Sequence, residues 1–442
     1  MVLITQKAMD SVTEKLSVRY HSSIRSFLPR FLTFFLLLQL FLFTAGCGNQ
    51  EQVQKEESPT VEKQKHSADV STETLPDHDR SSDTKLETSD LTDAVSVPEL
   101  KGTDKWINAN PFTLESQKGK VVLIDFWTYT CVNCIRTLPY LRLWHEAYAD
   151  AGLVILGVHT PEFEFEKVYE NLFRATQEFS LEYPVVQDNQ FETWKAFGNS
   201  VWPAKYLIDQ DGVIRYTHFG EGQYEETEQA IRKLLAEKGI DLKEPVASSI
   251  HSAQMDTAAR VTDVMLSQTR ELYAGYLRNY GVLSSGQTPP YILNTEYYES
   301  SNEELLYSDP GDHVNHFLYI EGLWRNEAEY LVHARETLEY EDYIAVKFYG
   351  SSVNAVMDTL SEDPVRVQVT IDNQPINVHQ AGFDIEFDSD GTSYVNVTNG
   401  RMYNLINKDE FGTGDLQLSS NSASFSLYAF TFGSYLGGER EF

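Results

Sequence analysis

Cysteine is scarce in this sequence, with three residues among 442. So few cysteines exclude the disulfide-rich scaffolds that replace a large core in small secreted domains. Positive charge is scarce as well: 35 lysines and arginines stand against 66 aspartates and glutamates, which gives a formal net charge of −31. That balance argues against general nucleic-acid binding, which must neutralise phosphates, and against adsorption of the folded surface to anionic lipid.

Residues 1–46 have the order of a secretory signal peptide: a basic segment, an apolar run that starts at Phe31, and small residues that end before Cys47. The last residues of this segment together with Cys47 resemble a bacterial lipobox, in which the cysteine is diacylated and becomes the new N-terminus. The alternative is an uncleaved membrane anchor, and both interpretations tether the chain outside the cytoplasm. Residues 47–96 form an acidic linker without Trp, Tyr or Phe, and we expect it to be disordered.

Strand-like and helix-like segments alternate from residue 97 to residue 243, which is typical of an α/β domain. Two near-continuous apolar runs predict strands that are buried on both faces. The hydrophobic spacing predicts three helices, and turn residues predict a hairpin of two further strands. The predicted strands are 120–127, 153–159, 205–209 and 213–219, and the predicted helices are 132–150, 164–180 and 223–238.

Cys131 and Cys134 stand between the first strand and its helix, in the order Thr-Cys-Val-Asn-Cys. Cys131 is expected at a helix N-terminus, where free N–H groups and the helix dipole stabilise a thiolate, so we expect its pKa to lie below about 8.5. Cys134, one turn later, is placed to resolve a mixed disulfide. Two alternatives stay open: a zinc site completed by His159 and His218, and a purely structural disulfide.

These motifs resemble the thioredoxin superfamily: a buried strand, C-x-x-C, Pro139 within the helix, and Trp202-Pro203 before a strand follow its order. The resemblance implies that Pro203 is a cis-proline beside the disulfide and that Trp202 and Pro203 help to dock an extended substrate. It also implies that Asp125 is a buried acid that exchanges a proton with Cys134. We therefore expect Asp125→Asn to slow turnover. We do not expect this substitution to lower stability, because it removes a buried charge.

The segments FWTYTCVNCIRTLPYL and HTPEFEFE are similar to the TlpA/ResA-like branch and to DipZ-type proteins. Reductases of the TlpA/ResA-like branch carry a glutamate in the first turn after the C-x-x-C, where this chain has Thr137. The proton-transfer role is therefore assigned to Asp125. His159, Glu162 and Glu166 are further candidates for the neighbourhood of the disulfide, and the alternative is that they are ordinary polar residues of a loop and a first helical turn.

Residues 260–442 show short apolar segments separated by turns, which predicts an all-β sandwich. The predicted strands are 316–322, 329–334, 343–350, 365–371, 393–399, 401–407 and 424–432. Stretches such as residues 429–433 resemble the jelly-roll-like C-terminal module of DipZ-type proteins, which implies a carbohydrate-binding-like domain. Aromatic side chains stack on sugar rings, but in strands they are more often core residues, so glycan binding and a protein-docking or spacer role both stay open.

The prediction is therefore a thioredoxin-like α/β domain followed by a jelly-roll-like β-sandwich, acting as a lipid-anchored, extracytoplasmic thiol–disulfide oxidoreductase. The resemblance implies protein disulfide substrates, with cytochrome c maturation as the type, and a separate membrane electron donor resembling CcdA. No residue pattern indicates a cofactor or a metal. The alternative function is a cell-surface lipoprotein that binds a glycan or a protein and has a secondary redox role. A peroxidase is disfavoured, since Thr128 has the required spacing but no proline precedes Cys131 in its loop.

Lipid attachment at Cys47 is testable by substitution. Cys47→Ala should release the protein from the membrane or leave an unprocessed precursor, because the lipid requires the cysteine sulfur. Cell fractionation and detergent partitioning measure this, with Cys131→Ala as the matched control that should be processed normally. Normal processing and partitioning of the Cys47→Ala variant would refute the lipoprotein prediction.

Overall fold

The computed structural model describes residues 96–237, 239–247, 267–286 and 289–433. The predicted signal peptide, Cys47 and the predicted linker up to residue 95 lie outside the described residues. Among the described residues, no helix has both the length and the apolar character needed to cross a membrane.

The described part of residues 96–247 folds into a mixed sheet flanked by helices. Its strands are β1 (Trp106–Ile107), β2 (Val121–Trp127), β3 (Leu153–His159), β4 (Val185–Gln187), β5 (Ala204–Ile208) and β6 (Ile214–Phe219), and its α-helices are α1 (Val132–Tyr148), α2 (Tyr169–Glu178), α3 (Glu192–Ala196) and α4 (Tyr224–Ala236). The strand order is β1-β4-β3-β2-β5-β6. The central strands β2, β3 and β4 are parallel, while β1, β5 and β6 pair antiparallel to their neighbours.

Strand β2 is central in this sheet and its side chains alternate between two cores. Leu123 and Trp127 pack into the cluster that includes the buried face of α1, whereas Ile124 and Phe126 belong to the cluster on the opposite face. Asp125 lies between Leu123 and Trp127 on the alternating pattern, so it shares their face. The acid is therefore placed on the side of the sheet that carries the helix of the C-x-x-C motif.

The predicted strands and helices of this domain are close to the observed ones, with one clear difference. The helix predicted over 164–180 begins only at Tyr169, because Val168 is extended (φ −73°, ψ 119°) and residues 164–167 form a separate 3₁₀ turn. The predicted hairpin is confirmed by the antiparallel pairing of β5 and β6. Strands β1 and β4 and helix α3 were not predicted, since segments of two to five residues carry too little periodicity.

The described part of residues 267–433 is an antiparallel all-β domain with one short helix. Its strands are β7 (Leu272–Tyr273), β8 (Glu304–Tyr307), β9 (Leu318–Asn326), β10 (Leu331–His333), β11 (Asp342–Thr359), β12 (Val365–Ile371), β13 (Gln374–Pro375), β14 (Glu386–Phe387), β15 (Ser393–Val397), β16 (Arg401–Ser420) and β17 (Phe425–Phe432), and its helix is α5 (Tyr276–Ser285). The predicted fold class, a thioredoxin-like domain followed by an all-β domain, is confirmed. Helix α5 was not predicted; Gly286, at φ 64°, provides the left-handed residue at its C-terminal end.

Two long strands, β11 and β16, organise the β domain. They pair along most of their length but shift register near Gly350 and Val353, and the first half of β11 pairs with β9 while the second half pairs with β17. Bulges of this kind bend a strand and let it take part in two layers. The sequence predicted only the first half of each long strand, because Gly350-Ser351-Ser352 and Gly412-Thr413-Gly414 read as breaks or lie past the apolar run.

The two domains pack against each other within one compact unit. Val132 and Ile135, on either side of Cys134 in helix α1, share a buried cluster with Tyr273 and Tyr428 of the β domain. Glycine permits close approach here: a Cβ on Gly400 would lie 2.5 Å from the ring of Phe165, and one on Gly433 would lie 2.6 Å from an Arg136 guanidinium nitrogen. The β domain is thus seated on the helix that carries the cysteine pair.

Candidate active site

The two cysteines open helix α1 in the predicted arrangement. Cys131 is the N-cap residue, with extended backbone angles (φ −81°, ψ 110°), and its Sγ accepts a hydrogen bond from the backbone N–H of Cys134 at 3.2 Å. Both are free thiols; Cys131 is half-buried and Cys134 is fully buried. A half-buried cysteine next to a fully buried one allows the first to attack a substrate and the second to act only on the first.

The pKa of Cys131 is not lowered, contrary to the expectation from the helix start. Burial raises the pKa of this thiol, the hydrogen bonds with Cys134 oppose that rise, and the carboxylates of Glu271 and Glu162 add to it. The pKa of Cys134 is raised well above its ordinary value, first by burial and then by its bond with Cys131, with Asp125 adding a smaller effect. The predicted asymmetry is therefore kept, since Cys131 loses its proton more readily than Cys134 does.

Asp125 forms a buried ion pair that the sequence analysis did not identify. Strands β2 and β5 place Asp125 directly opposite Lys205, and Lys205 Nζ lies 3.1 Å from Asp125 Oδ1 with both side chains 0% exposed. Burial raises the pKa of Asp125, and the ammonium group of Lys205 partly offsets this. The ion pair changes the expected effect of Asp125→Asn on stability from none to a loss, because the change would leave a buried ammonium without its counterion.

Trp202 and Pro203 lie on the turn before β5, joined by a cis peptide bond. The Trp202 indole N–H donates to the carbonyl oxygen of Thr160 at 3.1 Å, and the Pro203 carbonyl accepts from the N–H of Gly220 at 2.8 Å. Trp202 and Cys131 pack against the same hydrophobic cluster beneath α1. These bonds connect the Trp202-Pro203 turn to the loop at residue 160 and to the end of β6.

Glu166 lies in the loop that follows β3, and its side chain connects this loop to Thr130, the residue before Cys131. The Glu166 carboxylate accepts hydrogen bonds from the Thr130 hydroxyl, from the backbone N–H of Glu162 and, at 3.0 Å, from that of Phe163. Burial is the main cause that raises the pKa of Glu166 to about 7. The sequence analysis named Glu166 as a candidate for the neighbourhood of the cysteine pair. In the structure Glu166 lies there, and its hydrogen bonds hold the loop in place.

Glu162 lies in the same loop, and its side chain contacts residues of the β domain. Arg278 Nη2 donates to Glu162 Oε1 at 2.8 Å, and the Tyr273 hydroxyl lies 3.0 Å from the same oxygen and 3.3 Å from Glu271 Oε2. Burial raises the pKa of Glu271 to about 7, and the charge of Glu162 adds to this shift. Glu271, Tyr273 and Arg278 were not predicted as site residues, since more than 100 residues separate them from Glu162 along the chain.

The two histidines of the zinc alternative make other contacts. His159 Nε2 lies 3.2 Å from the Thr128 hydroxyl, and burial lowers the pKa of His159 to about 3, so the ring is neutral. His218 Nε2 lies 3.2 Å from the carbonyl of Glu221, and burial, with the charge of Lys205, lowers its pKa. Among the residues that the structure describes, no group of three or more His, Cys, Asp or Glu side chains is arranged to hold a metal ion.

Comparison with known families agrees with this geometry. Residues 94–217 match the AhpC/TSA family, and residues 269–433 match the family described as thioredoxin-like C-terminal domain. The chain is similar to the DipZ protein of Mycobacterium tuberculosis, with 43% identity over 170 residues, which are 38% of this chain and 24% of DipZ. It is also similar to the thiol–disulfide oxidoreductase YkuV of Bacillus subtilis, with 27% identity over 32% of this chain and 95% of YkuV. The oxidoreductase ResA of Geobacillus thermodenitrificans is 28% identical over 27% of this chain and 67% of ResA.

The matched region spans about a quarter of the length of the DipZ proteins. The resemblance to the thioredoxin superfamily, in its TlpA/ResA-like branch, and to DipZ-type proteins is confirmed by these matches. The peroxidase alternative would need the Thr128 hydroxyl to serve Cys131, three residues later, but that hydroxyl lies 3.2 Å from His159 Nε2.

Because Asp125 pairs with Lys205, its role in proton transfer and its role in stability can be tested separately. Asp125→Asn should slow disulfide reduction at neutral pH by roughly 10–100-fold, with a smaller loss at higher pH where hydroxide takes the Cys134 proton. It should also lower the free energy of unfolding by about 3–5 kcal/mol, because Lys205 remains buried and unpaired. Urea denaturation and a pH–rate profile of insulin reduction measure the two effects.

The matched control is the double variant Asp125→Asn with Lys205→Met, which removes both charges. It should recover most of the lost stability but none of the lost rate. A pH–rate profile of Asp125→Asn that superimposes on that of the wild type would show that Asp125 takes no part in proton transfer.

Proposed function

We propose that this protein is a lipid-anchored, extracytoplasmic thiol–disulfide oxidoreductase that reduces disulfides of exported proteins. The observation that supports this most is the cysteine pair at the start of α1, with half-buried Cys131 ahead of fully buried Cys134. The buried pair of Asp125 and Lys205 lies on the same side of the sheet. Such a site exchanges electrons with a disulfide through a mixed-disulfide intermediate.

The proposed reaction moves two electrons and two protons. The Cys131 thiolate attacks one sulfur of the substrate disulfide; a Cys131–substrate bond forms, and the other substrate sulfur leaves and takes a proton. The Asp125 carboxylate accepts the proton of Cys134, which then attacks Cys131 Sγ. The bond between Cys131 and the substrate breaks, the second substrate sulfur leaves and takes up a proton, and Asp125 gives up the proton that it holds. The products are a reduced substrate and a Cys131–Cys134 disulfide, and an external dithiol must reduce that disulfide before the next turnover. A membrane electron donor resembling CcdA would supply it.

The surroundings of Cys131 favour the role of a reductant. Strong oxidants of this chemistry owe their high potential to a reduced form that a low-pKa thiolate stabilises. Here burial and the carboxylates of Glu162 and Glu271 raise the pKa of Cys131, so the reduced form lacks that stabilisation. Electrons are therefore expected to pass from the cysteine pair to the substrate, as reduction of an apocytochrome c disulfide would require.

The two thiols should behave differently when each is replaced. Cys134→Ser should trap mixed disulfides between Cys131 and substrates, because no second thiol resolves them, while Cys131→Ser should trap none, because Cys134 is buried. Non-reducing electrophoresis of membrane extracts measures the trapped species, and insulin reduction by the wild type measures turnover. Equal trapping by both variants, or a wild type without turnover, would favour the alternative of a glycan- or protein-binding lipoprotein.

The reduction potential tests the direction of electron flow. We expect the Cys131–Cys134 couple to lie near the value of thioredoxin, about −270 mV, and not near about −120 mV, the value of a strong oxidant in the same superfamily. Equilibration with glutathione or dithiothreitol buffers, followed by alkylation and mass measurement, gives this potential. A value near about −120 mV would reverse the proposed direction.

A further inference from the structure

A pair of carboxylates from the two domains meets beside the cysteine motif. Glu162 belongs to the loop after β3, and Glu271 precedes β7 of the β domain. The Tyr273 hydroxyl lies within hydrogen-bond distance of both, at 3.0 Å from Glu162 Oε1 and 3.3 Å from Glu271 Oε2. Arg278 Nη2 contributes positive charge through its 2.8 Å bond to Glu162. We call these four residues the interdomain carboxylate cluster.

Two strands of the β domain, β7 and β17, place this cluster near the cysteine motif. Strand β7 pairs with β17, with Tyr273 opposite Ala429, and both residues belong to the buried cluster that contains Val132, the residue directly after Cys131. Strand β17 ends next to Gly433, whose Cα lies against Arg136 of helix α1. The cluster is thus held at the cysteine motif by packing and by strand pairing, independently of any charge.

The charged and titratable groups around the cluster have opposing effects. Burial is the largest cause that raises the pKa of Glu271; the charge of Glu162 adds to it, while Arg278, Arg136 and the bond with Tyr273 lower it. Burial is also the largest cause that raises the pKa of Cys131; the hydrogen bonds with Cys134 oppose it, and the carboxylates of Glu271 and Glu162 add to it. Carboxylates near a thiol disfavour its thiolate, because like charges repel each other.

We propose that the β domain controls the reactivity of the disulfide site, with Glu271 as a positioning residue whose carboxylate, held in the interdomain carboxylate cluster, disfavours the Cys131 thiolate. The half-buried Cys131 then reacts slowly with disulfides that do not alter this cluster. The C-terminal domain is in this way part of the redox site and not a spacer. The inference rests on the proposed oxidoreductase function and names a determinant of it that lies outside the thioredoxin-like domain.

The test is the pH dependence of Cys131 alkylation by iodoacetamide in the reduced full-length protein, with the modified residue identified by peptide mass. Glu271→Gln should shift the midpoint to lower pH. A fall of one pKa unit gives about ten times more thiolate, and the weaker nucleophilicity of a less basic thiolate reduces the net gain in rate to about threefold, measured at about pH 8 where the Glu271 carboxylate of the wild type is ionised. Glu162→Gln provides a second, independent variant, and it should shift the midpoint in the same direction.

Two controls separate charge from packing. Glu271→Asp keeps the charge and should keep the midpoint near that of the wild type. Glu303→Gln removes one carboxylate from an exposed position of the same domain and should leave the midpoint unchanged. Wild-type midpoints in both Glu271→Gln and Glu162→Gln would overturn the inference, as would an equal shift in Glu271→Asp or in Glu303→Gln.

Stability against pH gives a second measurement on the same variants. Glu271 has a pKa of about 7 in the folded protein against 4.5 as its ordinary value, so its contribution to stability is fully present below about pH 4.5 and is lost as the pH rises through about 7. The Glu271→Gln variant should therefore lose less stability than the wild type over this interval. Equal losses in urea denaturation would show that Glu271 is not held in the cluster and would overturn the inference.

Failure of the inference and failure of the proposed function are distinguishable. Insulin reduction by the wild type reports on the function, whereas the alkylation midpoint does not require turnover. A wild type without turnover would overturn the proposed function. A wild type with turnover, together with unshifted midpoints in both variants, would overturn only the role of Glu271.

Discussion

Burial of charge is the constraint on which this redox site depends. Thiol–disulfide exchange requires thiolates, yet the sulfur of Cys134 and the carboxylate of Asp125 lie in a core where ionised groups are disfavoured. The ion pair with Lys205 makes a charged Asp125 tolerable, because the two residues are direct neighbours on antiparallel strands and both are fully enclosed. The same pairing ties the proton-accepting group to the structural integrity of the sheet, so the chemistry and the stability of the domain share one interaction.

A second group of acids connects the cysteine motif to the β domain. Glu166 holds the loop after β3 against Thr130, and this arrangement directs Glu162 toward Arg278 and Tyr273. Each domain supplies residues that the other lacks: the thioredoxin-like domain supplies the thiols, and the β domain supplies positive charge and a further carboxylate. The hydrophobic contacts between the domains lie beside these groups and hold the two domains together. The β domain therefore has an influence on the redox site that its all-β architecture alone would not suggest.

How much of the fold and of the site could be predicted depended on whether the deciding residues are close together in the chain. The strand 153–159 and the helix that starts at Val132 were predicted almost to the residue, because long periodic segments decide their own conformation. The helix predicted from 164 was wrong at its start, because Glu166 binds backbone N–H groups of its own loop and the chain stays non-helical until Tyr169. The lysine within the apolar segment Ala-Lys-Tyr-Leu-Ile was the available signal for a partner of Asp125. A lone lysine in a buried strand requires a counterion. Asp125, the only acid in the strand that leads into the C-x-x-C motif, was already a candidate site residue and was the natural partner to propose.

The sequence by itself determined the two fold classes and the placement of the cysteine pair at the start of a helix, since these follow from local periodicity and from the spacing of two residues one helical turn apart. Only the tertiary structure decided the charges that act on the pair. The register of β2 against β5 selected Lys205 as the partner of Asp125. Burial, with a smaller contribution from the carboxylate of Glu271 in the β domain, raises the pKa of the Cys131 thiol where the helix start predicted a fall. The physical reason is that electrostatic effects depend on distance and burial in space, which residues far apart in the chain acquire only when the domains have packed.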